Sequence, residues 1–380
     1  MSEATALEYF RRAAEQVAAG EPPALQTNLP LVGTYCVVVP LELIAAAGGQ
    51  PLRLDCGSNA AAQAAENLTA RDTCSAVKAS LGGPLRAGSP VRERLRGIIL
   101  PATCDWKVRL APLLPADVPR FVLDLVHDKS EPAARDAWRR QTERLAGFLE
   151  QALGQKITRS ALRDAIDRYR AATLVARKLA ESTIADPPPI RGSDLLLAFS
   201  MSHSDRVESW TDAAAQLLQE IRSHPEPVSA GPRILLAGSP VLWPNWKLPT
   251  LIEAAGGCLV AEELCSGHRS LYDVPVADEF TRQDMLNALA DRYLLPCTCP
   301  CFTPNVDRVQ RLFAMIDKFR IAGIVYHVLR NCFVYDMELR RIEQAAASRS
   351  VPLLRVESDY SDQDAEQIRT RLEAFVEMLR

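Results

Sequence analysis

The chain has 380 residues, of which 48% are apolar and 24% charged, and its formal charge at pH 7 is −3. This composition is ordinary for a globular protein long enough for two domains, and the charge gives no basis for a nucleic-acid or anionic-membrane surface. No apolar run reaches the roughly 20 residues of a membrane-spanning helix, and the first residues lack a signal-peptide pattern. We therefore expect a soluble, cytoplasmic protein with neither nucleic-acid nor membrane partners.

The first part of the chain alternates strand and helix patterns. Apolar residues at helical spacing predict an amphipathic helix over residues 5–19, and a proline-containing linker follows it. Apolar segments predict strands or extended chain at residues 31–40, 51–54, 97–103 and 121–126, with a short helix at 41–47. Strands that alternate with helices indicate βαβ units and a parallel sheet.

The pattern changes at residue 131, where helical periodicity begins and continues to about residue 222. The segment 223–232 is rich in Pro, Ser and Gly, which is typical of a linker. Strand patterns then return at residues 233–237, 258–261, 323–329 and 352–356. Helical patterns accompany them at residues 248–255, 278–293, 306–319 and 362–379.

These patterns predict an α/β protein in four parts. Residues 1–30 form an N-terminal helical arm, 31–130 a first α/β domain, 131–228 a helical segment and 229–380 a second α/β domain. We expect the helical segment to lie between and around two flavodoxin-like parallel-sheet domains, although the two halves do not repeat convincingly in sequence.

Cysteine is the most informative residue type in this chain. The ten cysteines are Cys36, Cys56, Cys74, Cys104, Cys258, Cys265, Cys297, Cys299, Cys301 and Cys332. In a reducing compartment their thiols stay free, and thiolates are soft metal ligands. The question that the sequence raises is therefore which metal or cluster they bind.

Their spacing favours an iron–sulfur cluster over zinc. No Cys-x-x-Cys pair occurs, whereas structural zinc sites usually contain such pairs. Cys104, Cys265 and Cys332 follow predicted strands, and ligands of open parallel sheets bind beyond the carboxyl ends of the strands. Scattered thiolates that converge there fit iron–sulfur ligation. Some thiols only fill space: Cys258, inside an apolar strand, is expected to pack as a small hydrophobe, and Cys56 is a candidate for the same role.

Several motifs carry a resemblance to a known superfamily. They are Gly33-Thr-Tyr-Cys36, Thr73-Cys74, Leu100-Pro-Ala-Thr-Cys104-Asp105 and Glu357-Ser-Asp359-Tyr360. With them the chain resembles the 2-hydroxyacyl-CoA dehydratase and benzoyl-CoA reductase superfamily from Gly33 to Leu379. Within it the chain is most similar to the double-cubane-cluster proteins, whose additional cysteines match Cys36, Cys265 and the Cys-x-Cys before Pro304-Asn305.

The resemblance implies a set of cluster ligands. Cys74, Cys104 and Cys332 match the three cysteines that hold a [4Fe-4S] cluster in the superfamily. Cys36, Cys265 and one of Cys299 and Cys301, with Cys301 favoured, match the holders of a second cubane. A bridged [8Fe-9S] double-cubane cluster in the interdomain cleft is the expected cofactor, and the third thiol of the loop, Cys297, leaves its exact ligand open.

The resemblance also implies an activity and a partner. The expected protein is a homodimeric iron–sulfur oxidoreductase that reduces a small substrate with low-potential electrons from an ATP-hydrolysing iron–sulfur reductase. This chain has no GxxxxGK[ST] phosphate loop and should not hydrolyse ATP itself.

Two alternatives remain open on the sequence. The first is a 2-hydroxyacyl-CoA dehydratase subunit, a lyase component with one [4Fe-4S] cluster, a ketyl radical mechanism and a second, homologous subunit. The basic residues Arg92, Arg94 and Arg96 would suit a CoA phosphate, although ordinary surface charge explains them as well. The second alternative is a non-catalytic iron–sulfur electron-transfer protein.

Two histidines are candidates for a catalytic proton donor. His203 and His268 lie in predicted polar loops, and His268 follows Cys265 by three residues. Reductive chemistry needs protons, which a nearby histidine can supply. A solvated loop histidine is the alternative for each, and His327, inside an apolar strand, is expected to be a core residue with satisfied hydrogen bonds.

Overall fold

The structure, a computed structural model, describes residues 5–223 and 230–380, which contain two four-stranded parallel sheets. The strands of the first sheet are β1 (Leu31–Thr34), β2 (Gln50–Arg53), β3 (Leu95–Pro101) and β4 (Arg120–Leu123). Those of the second sheet are β5 (Arg233–Gly238), β6 (Cys258–Glu263), β7 (Gly323–Leu329) and β8 (Leu353–Ser358).

Both sheets have the same topology. Their strand orders are β2-β1-β3-β4 and β6-β5-β7-β8, which is the same second-first-third-fourth arrangement. The central strand β7 is buried along its whole length, and β3 is buried at every position but one. Helices on both faces of a parallel sheet explain such continuous apolar strands. The predicted α/β fold with two flavodoxin-like units is thus confirmed.

Fifteen α-helices surround the sheets within the described residues. Those before and within the first sheet are α1 (Ala6–Ala18), α2 (Leu41–Ala46), α3 (Asn59–Ala64), α4 (Ser75–Gly82), α5 (Pro90–Arg94) and α6 (Asp105–Leu110). The helical segment contains α7 (Pro132–Leu153), α8 (Arg159–Ser182), α9 (Gly192–Met201) and α10 (Val207–Ser223). The remainder are α11 (Lys247–Ala254), α12 (Arg282–Leu294), α13 (Val306–Phe319), α14 (Phe333–Ser348) and α15 (Ala365–Met378). None of these helices is long and apolar enough to cross a membrane.

The helical segment is anchored by two buried tryptophans. Trp138 of α7 donates from Nε1 to the Ala290 carbonyl of α12 at 2.9 Å, and Trp210 of α10 donates to the Ala198 carbonyl of α9 at 2.7 Å. The first of these bonds ties α12, which follows β6 in the chain, to the helix that follows the first sheet. The predicted boundary at residues 228 and 229 and most of the predicted linker lie outside the described residues.

Backbone contacts join the two α/β halves directly. The Gly57 amide donates to the Trp243 carbonyl at 2.9 Å, and the Thr303 amide donates to the His127 carbonyl at 2.8 Å. A Cβ atom on Gly57 would lie 1.8 Å from the Leu242 carbonyl oxygen, so only glycine permits this approach. The carboxyl ends of the strands in both sheets therefore face a shared junction.

Candidate functional site

Three of the candidate thiols occupy the same kind of position. Cys74, Cys104 and Cys332 are the N-cap residues of α4, α6 and α14. Burial raises the pKa of each thiol, to about 11 for Cys74 and about 12 for Cys332, while hydrogen bonds from first-turn amides oppose the rise. Helix N-termini stabilise negative charge, so these are sites where a thiolate is favoured once a cation arrives.

The three N-cap thiols lie within electrostatic reach of one another. The negative charges of Cys74 and Cys104 both raise the pKa of Cys332, and the charge of Cys104 raises the pKa of Cys74. Such repulsion requires that the sulfur atoms share one poorly solvated region. The structure therefore brings together, from α4, α6 and α14, the three cysteines that the resemblance groups.

A second pair of thiols lies beside this group. Cys36 follows β1 with a φ of 60°, and its Sγ is 3.2 Å from Thr103 Oγ1. Burial raises the pKa of Cys36, and the charge of Cys265 raises it further. Cys265 follows β6, and its Sγ accepts a hydrogen bond from Arg53 Nη2 at 3.7 Å. A thiol from each half is thus present at the junction.

The loop with three cysteines supplies the remaining thiols. The Cys301 thiol donates a hydrogen bond to the Cys299 sulfur, which lowers the pKa of Cys299 to about 7 and raises that of Cys301. The cationic groups of Arg269 and Arg308 lower the pKa of Cys299 further. Burial raises the pKa of Cys297 to about 11. Cys299 is therefore the thiol of this loop that ionises most easily.

Buried polar contacts hold this loop in place. Glu263, at the end of β6, accepts a hydrogen bond from Thr298 Oγ1 at 2.9 Å and an ion pair from Arg308 at 2.6 Å. Arg308 also donates to the Thr298 carbonyl at 3.0 Å, and Asn305 Nδ2 donates to the Cys299 carbonyl at 2.9 Å. Cys297 and Cys299, which flank Thr298, are consequently held in place relative to Cys265.

The candidate thiols form no single-ion site within the part of the chain that the structure describes. Among residues 5–223 and 230–380, no three Cys, His, Asp or Glu side chains are close enough to hold one metal ion. Thiolates are the usual ligands of iron–sulfur clusters. Cys258 lies in the buried core of the second sheet, and the Cys56 thiol donates to the Ala79 carbonyl at 3.4 Å.

The two candidate histidines have different surroundings. His203 and Cys36 line one small cavity of about 20 Å³, beside which His203 Nε2 is 3.3 Å from Ser270 Oγ. His268 lines another cavity and stacks on Phe199, with ring centroids 5.1 Å apart. Burial lowers the pKa of both imidazoles to about 3. The alternative of a solvated loop histidine is therefore wrong for His268, because it lies in a buried one-turn helix, His268–Leu271, and its ring packs on Phe199 of α9.

His327 hydrogen-bonds through both ring nitrogens, to the Ser239 carbonyl at 3.1 Å and to Ser358 Oγ at 2.9 Å. It is buried in β7, as expected of a satisfied core histidine.

The three basic residues considered for a CoA phosphate already have intrachain partners. Arg92 pairs with Asp117 at 2.9 Å, Arg94 donates to the Leu29 carbonyl at 2.9 Å, and Arg96 donates to its neighbours.

Sequence reasoning missed the buried charges around the thiols. Arg53, Asp55 and Lys107 form one network, and Arg269 and Arg308 meet at Glu263 in another. A signal for them exists in the sequence: Arg53 interrupts an apolar strand, and the pair Glu262-Glu263 ends one. Charged residues at such places are rarely buried without a partner.

The chain matches the family described as 2-hydroxyglutaryl-CoA dehydratase, D-component, over residues 36–379. This match covers every candidate cysteine.

Known relatives align along almost the whole chain. YjiM of Escherichia coli (strain K12), a protein named as a dehydratase subunit, is 30% identical over 362 residues, which cover 93% of this chain and 92% of the relative. The (R)-phenyllactyl-CoA dehydratase beta subunit of Clostridium sporogenes is 22% identical over 93% of each chain. The beta subunit of (R)-2-hydroxyglutaryl-CoA dehydratase from Acidaminococcus fermentans is 22% identical over 92% of each chain.

Proposed function

Because this chain belongs to the 2-hydroxyglutaryl-CoA dehydratase D-component family, we propose that it is the iron–sulfur component of a reductase that acts on a small substrate. The observation that carries the proposal is the presence of two sets of cysteines at one junction. One consists of three helix N-cap cysteines, and the other consists of Cys36, Cys265 and the Cys299–Cys301 pair.

Each set of cysteines would hold half of a double-cubane [8Fe-9S] cluster. Cys74, Cys104 and Cys332 would hold the first half, and Cys36, Cys265 and either Cys301 or Cys299 the second. When bound, such a cluster supplies low-potential electrons to a substrate, while the protein sets its ligation and access. The charge of Cys299 raises the pKa of Cys104, which supports the placement of the two groups side by side.

Residues of the chain would supply the remaining requirements of a reduction. His203 shares a cavity with Cys36, and its contact with Ser270 gives one ring nitrogen a hydrogen-bond partner. Because burial lowers its pKa to about 3, His203 is neutral at pH 7 and would relay a proton, taking one up at one ring nitrogen as it gives up the other from its N–H. His268 would support the Cys265 segment, since its amide donates to Glu262.

The electron source would be a separate protein that hydrolyses ATP and carries its own iron–sulfur cluster. No phosphate loop of the GxxxxGK[ST] type occurs in this chain, so the energy of ATP must come from a partner. A homodimer would be the working form of the double-cubane component.

The second candidate is a 2-hydroxyacyl-CoA dehydratase subunit with one [4Fe-4S] cluster. The names of two relatives favour it, since both are beta subunits of acyl-CoA dehydratases. In this case the chain would form a heterodimer and act as part of a lyase. The intrachain partners of Arg92, Arg94 and Arg96 weaken one argument for a CoA site.

Iron and acid-labile sulfide per chain, measured on protein purified without oxygen, test the proposal together with the EPR spectrum after reduction. About eight irons per chain would support the double-cubane component, and about four would favour the dehydratase subunit. Zinc without iron would refute both. A full cluster that never passes electrons to a substrate would indicate an electron-transfer protein.

Single variants would then identify the ligand in the three-cysteine loop. Cys297→Ser, Cys299→Ser and Cys301→Ser should be compared for iron content under the same loading conditions. The ligand variant should lose iron, whereas the other two should keep it. Cys258→Ala is the matched control, because that sulfur lies in the core of the second sheet.

A further inference from the structure

One buried ion network of the first half lies between three of the segments that bear candidate ligands. The Asp55 carboxylate forms one ion pair with Arg53 Nε at 3.1 Å and another with Lys107 Nζ. The side chains of Arg53 and Asp55 are each 5% exposed, and that of Lys107 is 8% exposed. The network thus consists of one carboxylate and two cations that are almost completely removed from water.

Each member of the network contacts a different ligand segment. Arg53 donates to the Cys265 carbonyl at 2.6 Å and to the Cys265 sulfur at 3.7 Å, which links the first half to the second. Asp55 accepts from the Cys36 amide at 3.5 Å. Lys107 lies in α6, the helix whose N-cap is Cys104. The three side chains therefore contact Cys36 and Cys265 or lie in the helix that begins at Cys104.

The charges in this network do not cancel. One carboxylate, that of Asp55, forms ion pairs with two cationic groups, those of Arg53 and Lys107. The network keeps an excess of one positive charge. Burying ions is costly, and a buried network is weak grounds for stability alone, so a further role for the excess charge deserves a test.

We infer that Arg53, Asp55 and Lys107 are positioning residues that provide a counter-charge for the thiolates and place Cys36 and Cys265 across the junction. This inference rests on the proposed function, because a bound cluster with several thiolates is the negative charge that would be compensated. A positive charge nearby stabilises the more negative, reduced cluster and raises its midpoint potential.

The inference predicts that the midpoint potential of the bound cluster follows the net charge of the network. Lys107→Met removes one positive charge and should lower the midpoint potential of the bound cluster. Asp55→Asn removes one negative charge and should raise it. Each change should correspond to about a tenfold shift of the reduction equilibrium, which is ~59 mV for one electron. Lys107→Arg keeps the charge and should restore the wild-type potential.

Arg53 tests the positioning part of the inference. Arg53→Lys keeps the charge but loses the paired contacts with the Cys265 carbonyl and sulfur. We expect its midpoint potential to stay close to that of the wild type, whereas Cys265 in the metal-free protein should react faster with an alkylating reagent. Mass spectrometry of the Cys265 peptide measures this rate without any cluster.

Lys247→Met is the matched control. Lys247 is similarly buried and forms an ion pair with Asp364, and it donates to the Asp359 and Ser361 carbonyls rather than to a segment that bears a candidate ligand. Its loss should destabilise the fold without moving the potential. If Lys107→Met does not fold, Asp55→Asn decides the question alone.

The experiment is a redox titration followed by EPR, after iron has been measured in every variant. Opposite shifts for Lys107→Met and Asp55→Asn support the inference. A loaded cluster whose potential stays at the wild-type value in both variants overturns it. Wild-type protein without any iron–sulfur cluster would instead refute the proposed function, so the two failures are distinguishable.

Discussion

The first and second α/β halves use one framework to present different thiols. Each half has a four-stranded sheet of the same order and a cysteine at the N-cap of the helix after its third strand, Cys104 in the first half and Cys332 in the second. Each half also has a buried carboxylate near the end of its second strand, Asp55 or Glu263, that pairs with two cations.

The halves differ at the junction after their first strands. The first half has Cys36 there, with a positive φ and a thiol beside Thr103. The second half has Ser239, which is fully buried and whose Oγ accepts from the Leu329 amide at 3.0 Å. In the turn after the first strand, the first half therefore has a thiol and the second half a hydroxyl, and the second half has in addition a separate three-cysteine loop. The framework that the halves share therefore supplies the N-cap thiols Cys104 and Cys332. Segments found in one half alone supply Cys36 and the three-cysteine loop.

Removal of the paired N-cap thiols tests whether the halves are equivalent. Cys104→Ser and Cys332→Ser should each lose iron and lower reductase-dependent activity by more than the roughly 100-fold typical of changes around metal ligands. Iron analysis and activity measurements on the two variants check this. Normal iron content in either variant would contradict the equivalence, and Cys258→Ala should retain the wild-type iron content.

A clash at the backbone contact between the halves should have the next largest effect. Gly57→Ala places a Cβ atom 1.8 Å from the Leu242 carbonyl oxygen across the junction. We expect a loss of about 1–3 kcal/mol in the free energy of unfolding, together with lower iron loading. Denaturant unfolding and iron analysis measure both quantities.

Gly147→Ala is the control for that variant. Gly147 lies in α7, and a Cβ atom there would meet nothing within 4 Å. This change should stabilise the protein by about 0.5–1 kcal/mol, because alanine favours a helix more than glycine does. Equal destabilisation by both variants would show that the junction is not special.

Acid should destabilise the fold through its buried histidines, and His268 offers the clearest test. Burial lowers the pKa of His268 to about 3 from 6.5, with contributions from the charges of Arg177 and Arg311. Between pH 6.5 and about 3 the unfolded chain binds the proton and the folded chain does not, so stability falls as the pH falls, by up to about 1.4 kcal/mol per pH unit.

His268→Phe should remove that part of the acid sensitivity. The ring stacks on Phe199, and no described residue hydrogen-bonds with His268 Nε2, so phenylalanine loses no bond of that atom. Thermal unfolding between pH 4 and 7 should give a shallower slope in the variant than in the wild type. Parallel curves would assign the acid sensitivity to other groups, such as His327, whose pKa burial lowers to about 4.

Exposed ion pairs should matter least in both halves. Arg92 pairs with Asp117 in the first half, and Arg355 pairs with Asp336 in the second, each at 2.9 Å. Arg92→Ala and Arg355→Ala should each change the free energy of unfolding by less than about 1 kcal/mol. Iron content should be unchanged in both. Loss of iron in Arg92→Ala would direct attention back to the basic residues near α5.

Regular elements were largely predictable because their causes are local. The apolar pattern predicts the helix at 306–319 and the strand at 323–329, and both have these bounds in the structure. The three positions at strand ends also follow from the sequence, since Cys104, Cys265 and Cys332 come shortly after β3, β6 and β7. The helices α3, α5 and α14 are not among the predicted elements.

By itself the sequence determined the fold class, the number of thiols and the strand ends where several of them lie. Only the tertiary structure decided which charges surround those thiols. Arg53 meets Cys265 across 212 residues of chain, and no periodicity or spacing encodes such a contact. The physical reason is that burial and pairing of charge depend on how distant segments pack, whereas helices and strands follow from neighbouring residues.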